Sequence, residues 1–155
     1  MQAEFSEEIF TLCKAEGINT CLDTSGCVLN DKVKALLSVT DRVLLDIKYT
    51  DDSLYNRYAG CSLYTVLGFL SYLNECNIPV TLRQVIIPTL NDTLENISAL
   101  KDIAARFPCA DKIELLPFRK LCMEKYERLG IDFPFASIPE PDEEKMALLR
   151  KETEN

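Results

Sequence analysis

Two short runs concentrate the reactive side chains of this chain. In "TCLDTSG", Asp23 closes an apolar stretch just before the turn-forming Ser25-Gly26, and in "VLLDIKYTDD", Asp46 and Lys48 follow an apolar run. A spacing of two puts Asp46 and Lys48 on one face of an extended chain. Arg83 lies within "TLRQVIIP" and Glu114 within "KIELLP", both otherwise apolar. An isolated charge in such surroundings is costly, so each of these groups must be paired, solvated or liganded.

Two arrangements satisfy that requirement. In the local one, Asp23 makes an Asx turn with the "TSG" backbone, Asp46 pairs with Lys48, and Arg83 answers Glu114. In the other, the charges gather at the carboxyl ends of successive parallel strands, where ligands of α/β folds bind. Carboxylates would accept from ammonium or ribose hydroxyl groups, while Lys48 and Arg83 would hold a carboxylate. An amino-acid nucleoside such as S-adenosylmethionine meets that description, and so does a sugar phosphate.

The elements that must position these residues follow from pattern. Phe5, Ile9, Leu12 and Cys13 recur at helical spacing and stop at Gly17, which predicts a helix over 3–16. Strands are expected over 18–23, 42–48, 79–87 and 112–117, each rich in Val, Ile and Leu. Between them, Asn30 caps a helix carrying Val33, Leu36 and Leu37, and Thr50, Asp51 and Asp52 open a short helix ending near Gly60. Ser62 begins a longer helix, and Asp92 with Glu95 forms a capping-box-like start for a helix through Phe107. Proline-bearing residues 133–141 connect to a last helix near Pro141 and Asp142. Alternating strands and helices predict right-handed βαβ units and a parallel sheet.

With 155 residues the chain suits a single domain, one that buries roughly 70% of its unfolded surface. A closed barrel of this kind uses eight strands and about 250 residues, and the first strand here would have an open edge. Part of a larger domain is therefore expected. A net charge of −8 speaks against nucleic acid and anionic membranes as partners, and no apolar run reaches the roughly 20 residues of a membrane span. A cytoplasmic protein is expected. The chain has no histidine, which excludes imidazole base catalysis and the usual zinc sites. Its seven cysteines are odd in number, scattered and without C-x-x-C spacing, as suits reduced thiols. A cluster held by Cys21 and Cys27 is the alternative to structural thiols.

Taken in order, "TCLDTSG", "VLLDIK", "LRQVIIP", "KIELLPF", "KYERLG" and the proline-rich approach to the last helix resemble the radical S-adenosylmethionine activating enzymes of glycyl radical enzymes, of the pyruvate formate-lyase-activating type. The resemblance spans nearly the whole chain. It implies an α/β fold in which parallel-sheet βα units form the last four strands of a partial TIM-type barrel. It also implies a 4Fe-4S cluster on a C-x-x-x-C-x-x-C loop and a Gly-Gly-Glu segment, neither of which this sequence contains. The implied reaction is reductive cleavage of S-adenosylmethionine and removal of a glycine hydrogen from the partner enzyme by the 5′-deoxyadenosyl radical. A reduced flavodoxin or ferredoxin type donor would supply the electron.

By matching motif, Asp23 and Thr24 would lie beside the cofactor and, with Asp46, could ligate a monovalent cation. Asp46, Ile47, Lys48 and Tyr49 would follow S-adenosylmethionine, and Arg83 would sit near its methionine portion. After "ELLP" the family often has tyrosine and histidine where this chain has Phe118 and Arg119, and glycine where it has Cys122. Arg119 thus occupies the position of a cofactor contact with a different chemistry. Alone, the chain is expected to be inactive, because the cluster ligands are absent.

Other classes make different demands. A receiver-type phosphoacceptor module needs an acidic pair after its first strand and a lysine after its last, whereas Lys48 follows the second. Schiff-base chemistry at Lys48 needs a neutral amine, which Asp46 disfavours. A non-catalytic scaffold that binds the glycyl radical partner is the remaining alternative.

Overall fold

A computed structural model describes residues 2–154. Its elements run α1 (Ala3–Ala15), β1 (Cys21–Thr24), α2 (Asp31–Ser38), β2 (Arg42–Asp46), α3 (Asp52–Ala59), α4 (Leu63–Glu75), β3 (Val80–Ile86), α5 (Leu94–Ala105), β4 (Ala110–Pro117), α6 (Met123–Leu129) and α7 (Glu143–Glu154). The four strands form one parallel sheet in the order β1-β2-β3-β4.

Period-two alternation divides that sheet into two unlike faces. Val43, Leu45 and Ile47 of the β2 run, Val80, Leu82 and Ile86 of β3, and Leu115 of β4 are buried on one side. Against them lie Leu36 and Leu37 of α2, Phe69, Leu70 and Leu73 of α4, Ile97 and Leu100 of α5, and Leu149 of α7. Full burial of each such side chain stabilises by about 1.5–3 kcal/mol, so this layer supplies most of the folding energy. The opposite face carries Asp23, Arg42, Asp46, Arg83, Lys112 and Glu114, each at least partly exposed.

Capping fixes where the helices begin. Asn30 Oδ1 accepts from the Val33 amide at 3.0 Å, and Asp51 Oδ1 from the Leu54 amide at 2.9 Å. Asp52 in turn accepts from the Ser62 hydroxyl and the Leu63 amide, both at 2.8 Å, which ties the start of α3 to the start of α4. The cap of α5 is Thr93, whose hydroxyl accepts from the Asn96 amide at 3.2 Å, not the expected Asp92. Asp92 instead accepts from the Thr89 amide at 2.9 Å and pairs with Lys145 of α7.

Two elements depart from the sequence pattern. The helix α6 forms without burying a residue and closes on Gly130 in the left-handed conformation. In α1, the apolar stripe faces outward, with Phe5, Ile9 and Leu12 at 59%, 41% and 69% exposure, and Ala3 is the buried residue.

Candidate cofactor site at the carboxyl rim of the sheet

The first three strands deliver Asp23, Asp46 and Arg83 to one place. Parallel register sets Asp46 beside Arg83 on the neighbouring strand, and β1 brings Asp23 alongside. Arg83 bonds Asp46 Oδ1 through Nε at 3.0 Å and Nη2 at 2.9 Å, and reaches Asp23 Oδ1 through Nη2 at 2.6 Å. Lys48 Nζ donates to the other oxygen of Asp46, Oδ2, at 2.7 Å. Two acids and two bases are therefore joined in a single network. The expected local pair of Arg83 with Glu114 does not form, although the two are register partners; Glu114 turns to Lys112 at 3.9 Å.

Exposure falls across the network from edge to centre. The Asp23 side chain is 60% exposed and Lys48 38%, while Asp46 and Arg83 retain 18% and 15%. Burial pulls the Arg83 guanidinium down, but the Asp23 hydrogen bond and the Asp46 charge outweigh it and hold it above its ordinary value. Charge-assisted bonds of this kind survive partial desolvation because each ion has an oppositely charged partner.

The remaining sequence-predicted residues are placed differently. Thr24 lies on the helix-covered face, and its hydroxyl accepts from the Gly26 amide at 3.2 Å, so the turn after β1 is made by Thr24 and not by an Asp23 Asx turn. Ile47 and Tyr49 also point into the core, leaving their backbone at the rim. Burial, reinforced by nearby Tyr58, pushes the Tyr49 phenol up to about 12. Arg119 stands outside the network and pairs with Glu140.

Sequence reasoning missed the groups that hold the Asp46–Lys48 backbone. The Tyr55 hydroxyl donates to the Asp46 carbonyl and accepts from the Lys48 amide, each at 3.2 Å. Asn91 accepts from the Ile87 amide at 2.6 Å and donates to the Val85 carbonyl at 2.9 Å and the Lys48 carbonyl at 3.5 Å. Tyr55 looks like ordinary α3 core, and only the "PTLND" turn could have pointed to Asn91. At the opposite end of the same face, Arg42 grips Asp111 with both terminal nitrogens, at 2.8 and 2.6 Å, and bonds Thr81 at 3.2 Å.

The chemistry of this donor set fits a zwitterion. Two carboxylates and two cations sum to no net charge, so a ligand with its own ammonium and carboxylate can exchange partners with them and leave no ion uncompensated. It does not fit an iron-sulfur cluster. Among the described residues no group of three His, Cys, Asp or Glu side chains is placed to hold a metal ion.

Solved structures share this fold. The structure matches a domain of a pyruvate-formate lyase-activating enzyme from Bacteroides vulgatus with a TM-score of 0.76 at 20% identity, over 96% of this chain and 83% of that one. It matches Escherichia coli coproporphyrinogen III oxidase, described as a radical SAM enzyme, with a TM-score of 0.66 at 11% identity over 99% of this chain and 36% of that one. The four-stranded parallel sheet thus shares its fold with part of each of these two chains.

Sequence comparison narrows the class. The chain is 38% identical over 151 residues to the pyruvate formate-lyase-activating enzyme of Clostridium pasteurianum, and 35% identical over 148 residues to the pyruvate formate-lyase 1-activating enzyme of Escherichia coli. These matches take in 97% and 94% of this chain and 63% and 60% of those proteins. No family model matches. The chain is similar to these pyruvate formate-lyase-activating enzymes and spans a little under two thirds of their length.

Proposed function

We propose that this chain is the S-adenosylmethionine-holding portion of a radical enzyme that activates a glycyl radical enzyme of the pyruvate formate-lyase type. The observation that carries this reading is the self-neutral Asp23–Arg83–Asp46–Lys48 network at the carboxyl rim of a parallel sheet. Asp46 and Asp23 would accept from the ammonium and ribose hydroxyl groups, and Lys48 and Arg83 would hold the carboxylate. The backbone at Ile47 and Tyr49 would run along the nucleoside. S-adenosylmethionine, when bound, would supply the deoxyadenosyl group that takes the glycine hydrogen.

The further site assignments belong to the same reading. Arg119 would leave Glu140 to reach the ligand. A monovalent cation shared by the Asp23 and Asp46 carboxylates and by Thr24, through its backbone carbonyl since the side chain faces the helices, would displace the Arg83 guanidinium from between the carboxylates. The chain would form one domain within a larger protein whose further segment carries the 4Fe-4S cluster. A reduced flavodoxin or ferredoxin type donor would supply the electron, in the cytoplasm. By itself the chain would bind the nucleoside and leave it intact.

Calorimetric titration of the 155-residue chain tests this. S-adenosylmethionine should bind one to one, and Asp46→Asn should weaken it by about tenfold, the effect of one charge-assisted hydrogen bond. No uptake at millimolar ligand, or equal affinity in the variant, would refute the assignment. Formation of 5′-deoxyadenosine from the reduced chain alone would refute the division of labour between this portion and the cluster.

A further inference from the structure

One buried hydroxyl lies between the charged rim and the helical layer. Tyr55 of α3 is fully buried, with its ring edge-on to Tyr49 at a centroid separation of 6.3 Å and an interplanar angle of 84°. The ladder of β2 ends just before it: the Ile47 amide still reaches the Arg83 carbonyl at 2.8 Å, but the next amide, that of Lys48, turns to the Tyr55 oxygen at 3.2 Å. The same oxygen donates to the Asp46 carbonyl at 3.2 Å. A single phenol therefore spans the two residues of the β2 run whose side chains join the rim network.

From this geometry we propose that Tyr55 is a positioning residue for the rim, its hydroxyl fixing the backbone from which Asp46 and Lys48 project toward one ligand. The need is physical. Residues two apart share a face only while the intervening peptide stays extended, and past the end of a ladder nothing in the strand enforces that. A backbone amide buried there also requires an acceptor. Burial raises the phenol well above its ordinary range, so it is protonated at neutral pH and able to donate to the Asp46 carbonyl. The anchor is itself fixed, because α3 is tied to the start of α4 through Asp52.

The identity of the ligand rests on the S-adenosylmethionine reading; the clamp does not. Hydrogen exchange followed by NMR in the intact chain and in Tyr55→Phe separates the two. The variant should speed exchange of the Lys48 amide by about tenfold, the loss of one hydrogen bond, and leave that of Ile47 unchanged. Unchanged exchange at Lys48 would overturn the proposal. In the unaltered protein the Tyr55 hydroxyl proton should exchange slowly and show a cross-peak to the Lys48 amide, and its absence would overturn the proposal without recourse to a variant. Tyr55→Phe should also weaken S-adenosylmethionine binding by about tenfold. Leu149→Ala in α7, remote from the rim, should lower the melting temperature and leave affinity intact. Equal losses of affinity in both variants, or none in Tyr55→Phe, would reduce Tyr55 to a stabilising residue. Should the unaltered chain take up no S-adenosylmethionine, the rim reading fails, and the exchange measurement alone decides the clamp.

Discussion

Arg83 holds Asp46 from the adjacent strand through two nitrogens, both on Oδ1, and so leaves Oδ2 to Lys48. Asp46 is thus the shared partner of both cations, and its loss unpairs them together. Asp46→Ala should destabilise by about 2 kcal/mol, since a largely buried guanidinium keeps only the exposed Asp23. Asp23→Ala should cost under about 1 kcal/mol, as an exposed ion pair does. Urea unfolding of both variants, and a double-mutant cycle of Asp46→Ala with Arg83→Met, check this ordering.

Gly26 closes the turn that follows Asp23 and Thr24. Its φ is +67°, and a Cβ there would come within 2.8 Å of Leu45 Cδ1 and 3.3 Å of Val66 Cγ1. Gly26→Ala therefore meets left-handed strain and overpacking at once. It should destabilise by about 3 kcal/mol in denaturant titration.

Acid should loosen the amino end of the sheet. The hydrogen bond from Lys14, aided by the Thr20 amide, holds the Asp41 carboxyl below its ordinary range, and the hydrogen bond from Arg42 does the same for Asp111. A carboxyl depressed on folding contributes stability above its unfolded pKa and loses it as the pH falls through the folded one, so the loss should set in below about pH 4. Urea midpoints across the acid range should fall less steeply in Asp41→Asn and Asp111→Asn than in the parent.

The cysteines should separate by reactivity. Burial, with the Cys27 thiol beside it, pushes Cys61 up to about 11, while Cys21 and Cys76 are exposed. Thiolates are the nucleophiles, so near-neutral alkylation followed by peptide mass spectrometry should label Cys21 and Cys76 first and Cys61 late.

The strands were legible because β1, β2 and β3 each bury one face and β4 packs Leu115 and Ile113 on the same side, so runs such as "VLLDI" and "TLRQVII" announce themselves, with boundaries off by up to three residues. Helix α6 was not, since with nothing buried it has no apolar period to read. The stripe of α1 was read as a helix face, and its outward direction is a tertiary fact that periodicity does not contain. At the site, residue type gave Asp23, Asp46, Lys48 and Arg83, but register sets Arg83 beside both Asp46 and Glu114, and only the side-chain geometry shows that it turns to Asp46. Tyr55 acts through its hydroxyl on backbone, a contact with no signature in spacing.

The most direct measurement is NMR mapping of S-adenosylmethionine onto the purified chain. A shared rim site requires concentrated shifts at Asp23, Asp46, Lys48 and Arg83, with the Arg83 side-chain nitrogens moving as the ligand carboxylate displaces its partners. Shifts centred elsewhere, or none at saturating nucleoside, would contradict it.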